Sequence, residues 1–483
     1  MKRKSIKKNA LLNTTKQLFS ILFPFISVPY ITRVLGPEKY GNINYGISIA
    51  NYFVLIAGLG IGNYAIREGA RFRDDKDKFS KFASEMFSIN IFSSFVAYLS
   101  LAILLIISEK TKAYSNIILI QSISIVLFLF GMEWVNSVYE EYTYITLRYI
   151  IIHFLSLLAM LICVRQPEDY IIYAWITLLA GAGGNLLNIY YIRKRVKISL
   201  IINKDLMDHI KPIMLIFVST LTVTIYVNAD ITMLGIWRTQ KEVGIYGLSS
   251  KVYAIIKQLI NALIIVTVPR LSSALGEGDK KKFIDLSEKV MGILLTIALP
   301  AGCGVVMLGK EITLIAGGKK YLSGSLSMSI LGVALMFSVI ASFYYSCVLL
   351  SLRKDTLIFI ASMAGAISNV ILNVWLIPAM GMNGAAITTL VAEILVATVY
   401  CWKSKCYLKT SLINKRILIA AILGSVIICL ICGLFKQIIF NDYLRVFVST
   451  SVSVIVYFAI QLITKNPSII NMLETMHILK KRI

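Results

Sequence analysis

Charge is what this sequence has least of. Only 15% of its 483 residues are Asp, Glu, Lys or Arg, and 57% are hydrophobic; a soluble protein carries roughly a quarter charged residues. Mean hydropathy is +0.77. That balance excludes a soluble enzyme or binding domain and indicates a polytopic membrane protein. Acidic residues are the scarcer half, 25 Asp and Glu against 49 Lys and Arg, for a formal net charge of +24. A surplus of that size would suit a nucleic-acid partner if it formed one basic face. Here the basic residues sit in short clusters between apolar runs, the pattern of cytoplasmic loops, so no nucleic-acid partner is expected.

Catalytic and metal-binding residues are just as sparse. The three histidines, His153, His209 and His477, are far apart in the chain, so no metal site is expected. The seven cysteines are scattered, and Cys429-Leu-Ile-Cys432 lies within an apolar run without polar neighbours or a second pair, which suits small packing residues better than zinc or redox chemistry. Gly304 to Lys310 follows the glycine and lysine spacing of a phosphate-binding loop, but Glu311 stands where Ser or Thr should hold magnesium. No ATPase module and no cofactor are therefore expected; transport would draw on the cargo's own gradient or on coupling to a proton or sodium ion. The N-terminal MKRKSIKKNALL resembles a signal peptide only in its charge. Lys16 and Gln17 interrupt the apolar run and no A-x-A site follows, so a cytoplasmic tail is expected instead.

Long apolar runs are what remains. About 20 apolar residues cross a bilayer as a helix, and such runs fall near 10–33, 40–66, 82–107, 114–137, 143–164 and 169–192, then near 212–236, 244–268, 285–309, 323–350, 355–378, 384–402, 416–435 and 443–463. The expected fold is an all-α membrane protein of about 14 transmembrane helices. Placing both termini in the cytoplasm gives a nearly threefold bias of Lys and Arg toward the cytoplasmic side. The external loops are then short, too short for the catalytic constellation that a polymerase or ligase of glycan assembly would need, so a transporter is expected and not an enzyme.

A weak internal repeat organises these spans. Around Pro24 to Gly69, ITRVLG is followed by KYGNINYG; around Asn228 to Val252, ITMLG is followed by EVGIYG. Repetition at half-length marks a transporter of two pseudo-symmetric lobes. The expected division is a six-helix lobe over 1–200, a second over 201–405, and two added helices with a basic tail over 406–483. The basic, amphipathic linker 193–211 is expected along the cytoplasmic membrane surface.

Polar side chains within the spans are the candidate functional residues, because ionisable groups there are costly and face a cavity or a partner. Ser219, Thr222, Tyr226 and Asp230 recur at helical spacing on the seventh span, as do Ser250, Tyr253, Lys257 and Asn261 on the eighth, beside Lys251. An ion pair between Asp230 and Lys251 is the alternative reading of those two. Lys16, Ser20 and Ser27 share a face of the first span, which Pro24 and Pro29 should kink, and Asn44, Ser48 and Asn51 share one on the second. Arg33, Arg67 and Arg148 lie at or near span ends; taken singly each suits snorkelling to the headgroups, and taken together they suit a cavity for an anionic, pyrophosphate-bearing cargo. Glu393 on the twelfth span, with Asp230, is an ion-coupling candidate, with a helix–helix hydrogen bond as the alternative for Glu393. Gly365, Asn369 and Asn373 form a stripe best suited to close helix packing.

RVLGPEKYG, YAIREGARFRDD and SNVILNVWLIPAMGMNGAAITTLVAE occur in that order and resemble bacterial polysaccharide flippases of the Wzx type, members of the multidrug/oligosaccharidyl-lipid/polysaccharide exporter (MOP) superfamily. The resemblance implies a two-lobed, MATE-like helical fold with a cationic cavity. It implies a protein of the bacterial inner membrane that moves undecaprenyl-pyrophosphate-linked oligosaccharide between leaflets by alternating access, working beside polymerase or other assembly proteins. An ion-coupled drug antiporter of the same superfamily is the rival. The residues bet on for substrate are Lys257, Lys251, Arg148, Arg33, Arg67, Asn261, Tyr253 and Tyr226.

Overall fold

A computed structural model describes residues 6–408 and 410–470, with side chains from Leu12 onward. The basic tails at 1–5 and 477–483, expected in the cytoplasm, lie outside the described residues. Among those residues the protein has eighteen α-helices and no strand. They are α1 (Ile6–Gly58), α2 (Ile61–Gly69), α3 (Lys76–Ile107), α4 (Glu109–Lys112), α5 (Ser115–Gly131), α6 (Glu133–Val138), α7 (Tyr142–Cys163), α8 (Tyr170–Leu178) and α9 (Gly184–Arg193). After an extended linker come α10 (Leu206–Trp237), α11 (Gln240–Gly276), α12 (Lys280–Met307), α13 (Gly309–Gly317), α14 (Ser325–Phe343), α15 (Asp355–Met380), α16 (Met382–Leu408), α17 (Lys415–Ile438) and α18 (Asp442–Ile463).

Each expected span falls on helix. Twelve helical stretches of the described residues are long and apolar enough to cross a membrane, and Ser115–Gly131 is a shorter apolar helix. The first stretch, Leu12–Gly69, runs to 58 residues, which as a straight helix would reach about 87 Å against a hydrocarbon core of about 30 Å. It is divided at Gly36, whose φ of 71° and ψ of 173° belong to a region open essentially to glycine alone. Pro37 follows with its ring already set for the first helical position. Counting that stretch as two crossings and Ser115–Gly131 as one is consistent with fourteen.

Contacts divide the chain into two compact units, one ending at Gly244 and the other beginning at Ile245. In the first, α1 packs against α3, α5, α7 and α10. The α1–α10 packing is close because Gly235 leaves no side chain: a Cβ there would lie 2.0 Å from the Tyr45 ring. Asn51 then donates from Nδ2 to Asn228 Oδ1 at 3.1 Å, and Thr232 Oγ1 donates to Ser48 Oγ at 3.1 Å. The linker after α9 is pinned to α3, where Ser84 Oγ accepts from Ser199 N at 3.1 Å and Ser88 Oγ from Ile201 N at 2.9 Å.

In the second unit, α14 lies against α12 and α16, α15 against α16, and α17 against α12 and α18. Its core runs through Leu294, Leu335, Phe343, Tyr344 and Tyr400. The Gly365–Asn369–Asn373 stripe faces α16: a Cβ on Gly365 would meet Val396 at 2.5 Å, Asn373 donates to Asn369 Oδ1 at 3.1 Å, and Thr388 donates to Asn373. These side chains are buried and satisfied by one another, as a packing seam requires. The α17–α18 hairpin is fastened to α12 by Tyr457, whose hydroxyl donates to the Thr296 carbonyl at 2.7 Å.

Candidate functional site

Among the clusters of ionisable side chains in or beside the membrane-spanning helices, one in each unit brings together residues singled out in the sequence. In the second unit, α11 carries Tyr246, Tyr253, Lys257 and Asn261 at helical spacing, and α16 presents Thr389 and Glu393 one turn apart. Glu393 is buried, and its Oε1 accepts from Tyr253 Oη at 2.7 Å and from Lys257 Nζ at 2.8 Å. Lys257 also donates to Tyr253 Oη at 3.3 Å, and Tyr246 Oη and Thr389 Oγ1 lie 3.2 Å apart. Asn261 donates to Ser342 Oγ at 3.3 Å on α14. The structure therefore joins Lys257 and Glu393, read from the sequence as a cargo cation and a coupling carboxylate, into one ion pair. A buried pair of this kind holds its two charges in register, and removing either partner strands the other.

The first unit assembles a different balance. Arg148 on α7 has a side chain 6% exposed and reaches Glu133 Oε1 with Nη2 at 3.3 Å. The same carboxylate oxygen lies 3.7 Å from Lys16 Nζ on α1. Two cations share one carboxylate, leaving one net positive charge. Arg148 also stands over the Tyr144 ring, 5.3 Å from its centroid, and Lys16 over Tyr149 at the same distance, both favourable cation–π positions. Lys16, Glu133, Arg148 and Tyr149 line a cavity of about 140 Å³ together with His153, Gly181, Gly184 and Asn185.

The cavity exists because of a local departure from α-helix. Leu179–Gly183 forms a π turn between α8 and α9, a feature that recurs at functional sites, and glycines on and after it leave room for the guanidinium. A Cβ on Gly184 would sit 3.1 Å from Arg148 Nε. His153 stacks on Tyr149 at 3.8 Å between centroids, and its Nδ1, 3.0 Å from the Tyr149 carbonyl oxygen, donates to it. Arg148 Nη1 is buried without a hydrogen-bond partner among the described residues.

The other candidates stand apart from these clusters. Arg33, Arg67 and Lys251 are exposed, and Arg67 lies 3.4 Å from the neighbouring Glu68. Tyr226 and Asp230 are on α10, with Asp230 buried beside the α1–α10 seam. Lys16 and Glu133 were visible in the sequence as ionisable residues in or beside apolar runs. Nothing in the sequence joined them to Arg148, because the three lie on different helices and spacing along the chain does not set which helices meet. His153 and Asn185 carried no signal, and the π turn none beyond its run of glycines.

Comparison with known proteins gives the family. A family profile described as polysaccharide biosynthesis protein matches residues 6–275. The chain belongs to that family. Over 404 residues it is 24% identical to a proposed O-antigen transporter of Shigella dysenteriae, covering 81% of this chain and 98% of that protein. Among solved structures, the lipid II flippase MurJ in an inward closed conformation superposes with a TM-score of 0.71 at 16% identity, over 94% of this chain and 98% of that one. A multidrug resistance MATE family transporter of the MOP superfamily, inward-facing, gives 0.59 at 12% identity over 85% and 96%. At these identities the structures establish the fold, which is that of the MOP transporters and agrees with the MATE-like, all-helical expectation. This member of the polysaccharide biosynthesis family is thus a multi-pass membrane protein with the fold of those transporters.

Proposed function

We propose that this protein is a flippase that carries undecaprenyl-pyrophosphate-linked oligosaccharide repeat units from the inner to the outer leaflet of a bacterial inner membrane. It works by alternating access, with both termini in the cytoplasm, and supplies O-antigen, capsule or exopolysaccharide synthesis. The observation that carries this reading is the net positive cluster that Lys16 and Arg148, on membrane-spanning helices, form with Glu133 at the start of the short helix α6. An uncompensated cation in a low-dielectric setting is costly and attracts an anionic headgroup, whereas a carrier of cationic drugs is better served by carboxylates. Tyr226, Tyr253 and Asn261 are suited to sugar hydroxyls, and Lys257 to the pyrophosphate whenever Glu393 releases it. Arg33, Arg67 and Lys251, being exposed, are suited to the approach of the headgroup. Asp230 and Glu393 are the groups through which a proton or sodium ion would be coupled, and a polysaccharide polymerase is the expected neighbour in the pathway.

The test is deletion of the gene in its host and complementation with wild type, Arg148→Gln or Lys257→Gln. Surface polysaccharide and undecaprenyl-linked intermediates are assayed together. Loss of surface polymer with single repeat units trapped on the inner leaflet, rescued by wild type and not by the variants, is the expected outcome. Normal polymer with altered dye efflux would favour the antiporter, and repeat units accumulating on the outer leaflet would favour a polymerase.

A further inference from the structure

Among the described residues, the Glu133 carboxylate has no side-chain partner beyond two cations, which it meets unequally. Its Oε1 lies 3.3 Å from Arg148 Nη2 and 3.7 Å from Lys16 Nζ. The exposures order these groups: Arg148 is 6% exposed, Lys16 30% and Glu133 37%. Arg148 is therefore the floor of the cavity, and Glu133 and Lys16 stand at its mouth. The cavity of about 140 Å³ is roughly ten times the least volume that admits one water, room for a phosphate-sized group beside the carboxylate. Neither contact has the two parallel, short hydrogen bonds of a committed Arg–carboxylate fork.

We propose that Glu133 is a resident counterion that stands in for the cargo's phosphate, occupying Arg148 and Lys16 while the site is empty and yielding them when a pyrophosphate-linked lipid arrives. This rests on the flippase reading above and adds to it a specificity and release device. In the empty protein the carboxylate spares the membrane two bare cations. When cargo binds, the more negative and multidentate phosphate takes both, and Glu133, already at the mouth, swings toward solvent. Its return competes the phosphate off, so cargo is held firmly enough to be selected and weakly enough to be released. A neutral lipid cannot displace it. Gly184 keeps the guanidinium free to change partners, since a side chain there would press on Nε.

The experiment uses the full-length protein in nanodiscs and measures binding of undecaprenyl pyrophosphate, neutral undecaprenol and inorganic pyrophosphate. Glu133→Gln removes the competitor and raises the net charge of the cluster by one, and should tighten undecaprenyl pyrophosphate at least about tenfold, given opposite charges a few ångströms apart at a protein-like dielectric. Its turnover in a leaflet-exchange assay should fall. Lys16→Gln leaves the Glu133–Arg148 pair in place and should weaken binding, so the same charge balance is read in the opposite direction even if Glu133→Gln does not fold. Undecaprenol should bind all three proteins alike. Wild type that complements and prefers the pyrophosphate lipid, with Glu133→Gln unchanged or weaker, overturns the counterion and leaves the flippase standing. Wild type that neither complements nor distinguishes the two lipids overturns the flippase itself. Inorganic pyrophosphate bound as tightly as the lipid overturns the assignment to a lipid-borne group.

Discussion

Replacing Arg445 with alanine should destabilise the second unit by about 3 kcal/mol. Arg445, on α18, donates from Nη1 to Glu311 Oε1 on α13 and to Asp442 Oδ1, each at 2.8 Å, and from Nε to the Ile439 carbonyl oxygen at 2.8 Å. Glu311 is 1% exposed, so the variant strands a carboxylate inside the protein. Breaking a buried pair by removing one partner costs roughly 3–5 kcal/mol. The lower end applies because Lys436 Nζ remains 3.9 Å from Glu311 Oε2, and the partly exposed Asp442 adds little. The assay is SDS-induced unfolding of the purified full-length protein in mixed micelles, followed by tryptophan fluorescence. The double variant R445M/E311L removes both charges and should lie within about 1 kcal/mol of wild type, since apolar replacement of a buried pair is often neutral. Arg445→Ala costing under about 1 kcal/mol, or the double variant no better than Arg445→Ala, would refute the reasoning.

Three further outcomes follow from the same geometry. Lys257→Ala should strand the buried Glu393 carboxylate and lower yield and stability, with K257Q/E393Q recovering the fold but not transport; fluorescence-detected size exclusion and the complementation assay read the two separately. Gly41→Ala and Gly244→Ala should each be severely destabilising, because their Cβ atoms would lie 1.8 Å from the carbonyl oxygens of Gln240 and Pro37 respectively, roughly half an ordinary contact distance; thermostability of the purified variants checks this, and a wild-type value for either would show that the helices part easily. The Lys81 ammonium, hydrogen-bonded to Asp205 at 2.9 Å, holds the Asp205 carboxyl below the usual carboxylate range. A lowered folded-state value stabilises the fold above the unfolded carboxyl pKa and ceases to do so as pH falls through the folded one. Asp205→Asn should therefore flatten the loss of thermostability on acidification, and a variant with an unchanged acid limb would exclude this pair as a contributor.

The apolar run lengths alone determined that the chain is a bundle of membrane-crossing helices, because a bilayer demands about twenty apolar residues whatever the neighbours are. The paired ITRVLG and ITMLG segments likewise announced their glycines: Gly36 breaks α1, and Gly235 admits Tyr45. Local rules suffice there, since backbone conformation and a missing side chain are properties of the residue itself. The ionisable residues were equally visible one by one, and Asn369 with Asn373 showed its packing role through helical spacing. Which charges meet was decided by tertiary structure alone. Lys257 and Glu393 are separated by 136 positions, and Lys16, Glu133 and Arg148 come from three separate segments, so the first cluster is a neutral pair and the second a net cation. Charge in a membrane acquires meaning from its neighbours within a few ångströms, and the helix packing that chooses those neighbours is set by the small residues and π turn between them.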